Sequence, residues 1–218
     1  VTYTEDQLQK RDFFRRRAQA LFDRAENLVP PARLLDVGCG IGTELAVGEA
    51  RGWHVTGIEL SESSVRIARS GGLDVRLASL VDTGFPSHSF RLVTLNHVLE
   101  HVAHTPPFMR ELRRIVSNDG FLSISLPNVY AWKFYVWRHA YTWTFHGDHY
   151  IHFSLETLPR FLKRYGFDVF EMSTSRWLDF HDPVESRSKL FQVINDTVQR
   201  LDMGIEIFCL ARPMIGDW

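Results

Sequence analysis

The sequence predicts an α/β fold, a mostly parallel sheet with helices on both faces, and three observations carry that prediction. The first is the stretch Leu34-Leu35-Asp36-Val37-Gly38-Cys39-Gly40-Ile41-Gly42-Thr43, an apolar run with an acid, three alternate glycines and a helix-opening residue. Continuous apolar sequence suits a parallel strand buried on both sides. Glycines let the chain turn sharply and let a ligand lie against the backbone. The second is the alternation of strand-like and helix-like segments from Arg33 to Leu126, the pattern of a parallel sheet. The third is Glu59, an acid that ends the next strand-like segment. A strand–glycine–helix junction turns the free N–H groups of its helix toward a nucleotide-like ligand.

Each element has its own signal. From Glu5 to about Asn27, Leu8, Phe13, Phe14, Ala18, Leu21 and Phe22 recur at three- and four-residue steps, which predicts one amphipathic helix. Arg15, Arg16, Arg17 and Arg24 form its solvated face, or, on a sharper reading, a lid or a contact to an anionic substrate. Pro30-Pro31 ends it. Strand one is Arg33–Val37, and a helix follows from Thr43 to about Arg51. Strand two is His54–Leu60, and Ser61 caps a helix through Arg69 that Gly71-Gly72 breaks. Strand three is Asp74–Ala78 and strand four Arg91–Asn96. Thr105-Pro106 opens a helix to about Val116, and Asn118-Asp119-Gly120 turns the chain into strand five, Phe121–Leu126.

After Pro127-Asn128 the pattern changes. Residues 129–153 are dense in aromatics and histidines, with no single period running through them. Ser154 caps a helix over Leu155–Tyr165, Phe167–Ser173 is a sixth strand, and Asp182-Pro183 opens a helix to about Asp202. Gly204–Leu210 is a last strand, placed to run antiparallel in a hairpin-like edge.

The chain has 218 residues, enough for one domain with a sizeable core. A net charge of −1 argues against a nucleic-acid footprint, and no apolar run is long enough to span a membrane. Cys39 and Cys209 are the only cysteines, too few for a disulfide framework or a cysteine metal site. No signal-peptide pattern is present; the expected location is cytoplasmic. A start at Val1 rather than Met is expected of a trimmed chain.

Leu35-Asp36-Val37-Gly38-Cys39-Gly40-Ile41-Gly42 and Gly57-Ile58-Glu59-Leu60-Ser61 resemble the first two motifs of the class I S-adenosylmethionine-dependent methyltransferases. Ser87–Val93, Asn96–Val102 and Asn118–Leu122 with Leu126-Pro127-Asn128 resemble its later segments. The likeness is strong from Arg33 to Asn128. It extends more weakly through His149–Leu158, a pattern seen in a bacterial small-molecule and sugar methyltransferase subgroup. Arg91 stands where the family usually has Asp, and Asn118-Asp119-Gly120 where it often has Pro-Gly-Gly; neither touches the cofactor motif. The resemblance implies a Rossmann-like, seven-stranded, mostly parallel sheet with an antiparallel last strand. It also implies S-adenosyl-L-methionine as cofactor and S-adenosyl-L-homocysteine as product. On this reading the chain is one domain, 1–218. It comprises an N-terminal helix or cap (1–32), a cofactor-binding core (33–128), a substrate-lid insertion (129–153) and the rest of the sheet (154–218).

By the same resemblance the glycine loop, with Gly38, Cys39, Gly40 and Gly42, holds the methionyl end of the cofactor and Glu59 its ribose, while Asp36 orders the loop or reaches the cofactor's amino group through water. Leu60 and Leu80 flank the adenine with Ser79 at its edge, and Asn96 and His97 complete the set. Methyl transfer to a hydroxyl gains from a general base, and histidine is best tuned for it near neutrality. The catalytic candidates are His149, beside Asp148, then His101 and His152. The spacing His146-x-x-His149-x-x-His152 also admits a metal, but Gly147 and the aromatics disfavour the regular helix it needs, so no metal is expected. The aromatic insertion is either a lid and substrate wall or a dimer contact and core. Expected partners are a small-molecule substrate and a possible homodimer, with no nucleic acid. O-methylation of a secondary metabolite or sugar is the leading reading, ahead of N- or C-methylation. A nicotinamide-dependent oxidoreductase is disfavoured by the glycine spacing and the lack of a Tyr-x-x-x-Lys pair. A non-catalytic partner subunit is disfavoured by the intact Gly38, Gly40, Gly42 and Glu59.

Overall fold

The computed structural model describes residues 3–132, 147–174 and 189–216. Its seven strands are β1 (Arg33–Val37), β2 (His54–Glu59), β3 (Val75–Leu77), β4 (Phe90–Asn96), β5 (Val116–Pro127), β6 (Phe167–Thr174) and β7 (Glu206–Pro213). They form one sheet in the order β3-β2-β1-β4-β5-β7-β6, with helices on both faces. β1 pairs parallel with β2 and β4, and β2 with β3. β6 and β7 are antiparallel, as the hairpin-like edge predicts, with an irregular register between Val169 and Glu171. Contacts divide the chain into two units, residues 1–96 with 106–122, and 97–105 with 123–218.

In the first unit the expected single N-terminal helix is two: α1 (Tyr3–Gln9) and α2 (Arg11–Glu26), parted at Lys10, whose backbone leaves the helical region. The apolar period alone does not show this break, because the anchors of α1 are polar: Thr4 Oγ1 lies 3.1 Å from Ser63 Oγ and 3.0 Å from Ser64 Oγ. α2 buries Ala18, Leu21, Phe22 and Ala25, a single stripe at helical spacing. Phe22 is fully buried against Trp53 and against Gly48 of α3 (Thr43–Ala50). At the end of α2, Glu26 accepts hydrogen bonds from Arg51 Nε (2.8 Å), Arg51 Nη2 (2.6 Å) and Trp53 Nε1 (3.0 Å). The Arg51 guanidinium holds the Glu26 carboxyl below its usual pKa.

Ser61 caps α4 (Glu62–Ser70) as expected, its hydroxyl accepting from Ser64 N at 3.4 Å. α5 (Thr105–Ile115) turns Phe108, Met109, Leu112 and Ile115 inward. It runs straight into β5, so Asn118-Asp119-Gly120 lies inside the strand and does not form the expected turn. The start of β5 is tied to β4. Ser117 Oγ donates to Phe90 O at 2.8 Å and Arg91 pairs with Asp119. The Gly120 Cα lies so close to Arg91 O that a Cβ there would sit 2.7 Å from it.

In the second unit Asn128 staples the end of β5. Its Nδ2 donates to Asp202 O (3.1 Å) and Gly204 O (2.9 Å), and its Oδ1 accepts from Tyr130 N (3.1 Å). Ser154 Oγ accepts from the backbone of Glu156 and Thr157 and so opens α6 (Thr157–Lys163). α7 (Lys189–Arg200) precedes β7. Residues 133–146 of the aromatic insertion, and the expected helix start at Asp182-Pro183, lie outside the described residues.

The contact of Phe22 with Gly48 sets a sign test. Alanine for glycine inside a helix normally stabilises by about 1 kcal/mol. Here the added Cβ would meet Phe22 Cζ at 2.7 Å and Val55 Cγ1 at 3.2 Å. Gly48→Ala should therefore destabilise by about 1–3 kcal/mol in urea denaturation. Adding Phe22→Leu should cost less than the two single changes together, because it vacates the space the Cβ needs.

Candidate functional site

Alternate glycines shape the loop after β1, with φ of 72° at Gly38, 53° at Gly40 and 81° at Gly42, values in the left-handed region that favours glycine. Every N–H of the loop has a partner. Gly38 N and Cys39 N both donate to Ile58 O (2.8 and 3.1 Å), and Gly42 N to Cys39 O (3.0 Å). Gly40 N donates to Glu59 Oε2 at 2.9 Å and Ile41 N to Gln7 Oε1 at 3.0 Å. The N–H groups of the loop itself, Gly38 to Gly42, are thus engaged within the protein, ahead of the helix that starts at Thr43.

Glu59 is the centre of that engagement. Its Oε1 accepts from Leu60 N (2.7 Å) and Ser61 N (2.8 Å) in addition to the Gly40 bond on Oε2. A carboxylate offers about four acceptor positions, so one on Oε2 is left for a ligand hydroxyl. Gln7, on α1, is a site residue that sequence reasoning missed. It is buried, and its amide lies over Gly40 where an added Cβ would meet it at 2.3 Å. No motif marks it; only the docking of α1 brings it there.

The acids at the strand ends form a second group. Parallel register sets Thr94 of β4 beside Asp36 of β1, and strand alternation puts Asn96 on the same face as Thr94. Thr94 Oγ1 donates to Asp36 Oδ1 at 2.8 Å, and Asn96 Nδ2 donates to Glu44 of α3. Burial pushes the Asp36 carboxyl well above its ordinary pKa, with the neighbouring Glu44 charge adding to the effect. Burial also raises Glu44, opposed by the neighbouring Thr94 hydroxyl, the charge of Arg17 and the hydrogen bond from Asn96. Glu44 Oε1 is enclosed and accepts no hydrogen bond from any described residue.

Among the expected adenine contacts, Leu60 is 72 % exposed and Leu80 is in the core. Ser79 Oγ donates to Asp82. Cys39 is buried beside these acids, and burial raises its thiol pKa far above the usual value; burial pushes the Cys209 thiol up to about 12. Neither is a nucleophile.

His97, His101, His149 and His152 belong to the second unit. His97 has a left-handed backbone (φ 53°), and its ring lies between two buried carboxylates. Nδ1 is 3.1 Å from Glu100 Oε1, and Nε2 contacts Glu206 Oε1. A 3-10 turn over Leu99–His101 follows. The His101 and His149 rings meet edge to face at 4.6 Å, and His149 and His152 at 6.2 Å. The three expected catalytic histidines are thereby brought into one cluster. His146 lies outside the described residues.

The buried acids give a pH test with a defined sign. Above the ordinary aspartate pKa the unfolded chain has lost protons that Asp36 and Glu44 still hold in the folded chain. Stability therefore falls as pH rises from the ordinary carboxylate range through the raised folded values. Asp36→Asn should flatten that slope in urea denaturation series run from acid to neutral pH.

Comparison with known proteins places this geometry. A family model described as a methyltransferase domain matches residues 8–172. Ajmaline N-methyltransferase of Rauvolfia serpentina is 32% identical over 103 residues, covering 43% of this chain and 35% of that protein. Ubiquinone biosynthesis O-methyltransferase of Xanthomonas oryzae pv. oryzae is 38% identical over 105 residues, 44% of each. The chain thus spans less than half the length of these curated relatives. A SAM-dependent methyltransferase from Archaeoglobus fulgidus superimposes with a TM-score of 0.68 at 18% identity, covering 94% of this chain and 98% of that one. The family match over most of the chain and the shared fold make this chain a member of the methyltransferase-domain family, of the class I S-adenosyl-L-methionine-dependent type.

Proposed function

We propose that the chain transfers a methyl group from S-adenosyl-L-methionine to a hydroxyl of a small molecule, a secondary metabolite or sugar. The observation that carries the donor half is the group formed by the glycine loop, Glu59 and the Asp36–Glu44 pair. At Gly40 the Gln7 amide lies where a side chain on the glycine would stand. Glu59 keeps an acceptor position for a ribose hydroxyl, and Glu44 Oε1, which has no hydrogen-bond partner among the described residues, lies with buried Asp36 in an acid pair that a cationic ligand would draw toward its charged form. Leu60 supplies exposed apolar surface for a base.

When bound, S-adenosyl-L-methionine supplies an electrophilic methyl on a positively charged sulfur. Transfer breaks the carbon–sulfur bond and forms a carbon–oxygen bond. The bond's electron pair stays on sulfur in S-adenosyl-L-homocysteine, and the hydroxyl proton passes to a base. The protein's part is to align the two reactants and accept that proton. His149, His101 and His152 are the residues proposed for the last role, with His149 first. The O-methyltransferase from Xanthomonas supports attack by oxygen; the N-methyltransferase from Rauvolfia makes an amine acceptor the second reading. Mass spectrometry of products from hydroxylated and aminated acceptors separates them, a methyl ether being the expected product.

Two sets of variants test the roles. Removing the charged acceptor in Glu59→Ala should weaken S-adenosyl-L-methionine binding by about 10- to 100-fold in calorimetry, the equivalent of about 1.5–3 kcal/mol. Gln7→Ala should instead tighten binding several-fold, since one net hydrogen bond worth about 1 kcal/mol no longer has to be displaced. Tight NAD binding without S-adenosyl-L-methionine binding would overturn the donor assignment. His149→Ala should lower kcat by about 10²–10⁴-fold with the donor Kd unchanged, and should remove the histidine limb of the pH–rate profile.

A further inference from the structure

We infer that Glu100, His101 and His149 form a binding site for a divalent first-row transition metal ion. A carboxylate oxygen of Glu100 and one ring nitrogen from each histidine lie within 4.8 Å of one another. All three residues belong to the second unit, so the site is built within it.

The fold organises the donors as a metal site requires. The 3-10 turn over Leu99–His101 sets Glu100 and His101 side by side. The segment carrying His149 is pinned to that turn, because Tyr150 N donates to Glu100 O at 2.8 Å. His101 Nδ1 lies 3.1 Å from Asp148 O. A carbonyl can only accept, so Nδ1 carries the proton and Nε2 keeps its lone pair for a ligand. Metal-bound histidines commonly show this arrangement.

An independent observation points the same way. Glu100 is 1% exposed, and its carboxylate is satisfied on one side only. Oε1 faces His97 Nδ1, whereas Oε2 is buried and accepts no hydrogen bond from any described residue. Leaving such an oxygen unpaired costs more than the usual hydrogen bond contributes. An ion held by Oε2 and the two imidazoles removes that cost. His97, held in turn by Glu206, orients the carboxylate from behind.

Two imidazoles and a carboxylate select the class of ion. Mg²⁺ and Ca²⁺ prefer all-oxygen shells, whereas Zn²⁺, Fe²⁺, Co²⁺ and Mn²⁺ accept mixed nitrogen and oxygen ligands. Three protein ligands leave open positions, as in sites that hold water or substrate. The inference is separate from the methyl-transfer reading, but it bears on the base. With the ion bound, His101 and His149 are ligands and His152 is left to accept the proton; the assignment of His149 as first base applies to the metal-free chain.

The test uses the whole chain, stripped with chelator and titrated with Zn²⁺, Co²⁺ or Mg²⁺ in equilibrium dialysis. Donor binding is measured by calorimetry on the same samples. One equivalent of Zn²⁺ should bind, Mg²⁺ far more weakly, and Co²⁺ should develop a visible absorption band. Glu100→Gln and His149→Ala should each weaken Zn²⁺ binding by at least tenfold and alter the Co²⁺ band. His104→Ala, an exposed histidine elsewhere, should change neither. The half-buried His149 guards against misreading a folding defect in Glu100→Gln. Absence of stoichiometric Zn²⁺ binding, or equal binding by wild type and His149→Ala, overturns the site. S-adenosyl-L-methionine binding in those samples stands or falls independently.

Discussion

Three backbone N–H groups converge on the Glu59 carboxylate, and the donor half of the molecule depends on that convergence. One comes from the glycine loop and two from the turn that opens α4. Hydrogen bonds to an ionised acceptor are about twice as strong as neutral ones. A single side chain therefore holds two loops in register while keeping an acceptor position in reserve. The positive φ angles of Gly38, Gly40 and Gly42 make the loop possible, and Glu59 makes it definite.

Close to that carboxylate the fold buries two acids whose charged forms the protein alone does not stabilise. Asp36 and Glu44 are both driven toward the protonated state by burial, a cost that folding does not recover. A cationic ligand changes the balance, because attraction in a poorly solvated site is stronger than in water. On the proposed donor reading, the same acids would favour a positively charged ligand over a neutral or anionic one. Arg17, expected on the solvated face of α2, acts on Glu44 and moderates this field.

Much of this was legible before the fold was known, for a local reason. Asp36, the glycines and Glu59 sit on short, consecutive β–α units, where motif spacing and geometry are nearly the same information. The positions of β1, β2 and β4 along the chain and the cap at Ser61 follow from equally local signals. Three features did not. The break at Lys10 and the seating of Gln7 on the loop depend on α1 docking through Thr4, a polar contact that no hydrophobic period records. The start of β5 was hidden because Asn118-Asp119-Gly120 has the composition of a turn, and pairing with β4 outweighs it. Glu100 was passed over because an acid next to a histidine carries no sign of whether it is buried.

The histidine cluster shows why that last omission matters. Regular spacing at His146, His149 and His152 admits a helical metal motif that Gly147 and the aromatics disfavour, whereas the side chains that meet are Glu100, His101 and His149, from segments nearly fifty residues apart. Their meeting is arranged by backbone: Glu100 O receives Tyr150 N, and Asp148 O receives His101 Nδ1. Main-chain groups are present at every position, so such pairing leaves no mark in the order of side chains. A buried carboxylate oxygen with no hydrogen-bond partner among the described residues is visible only once the chain has folded. It is also the kind of feature that folding alone disfavours, and a ligand is the simplest physical reason for a protein to keep it.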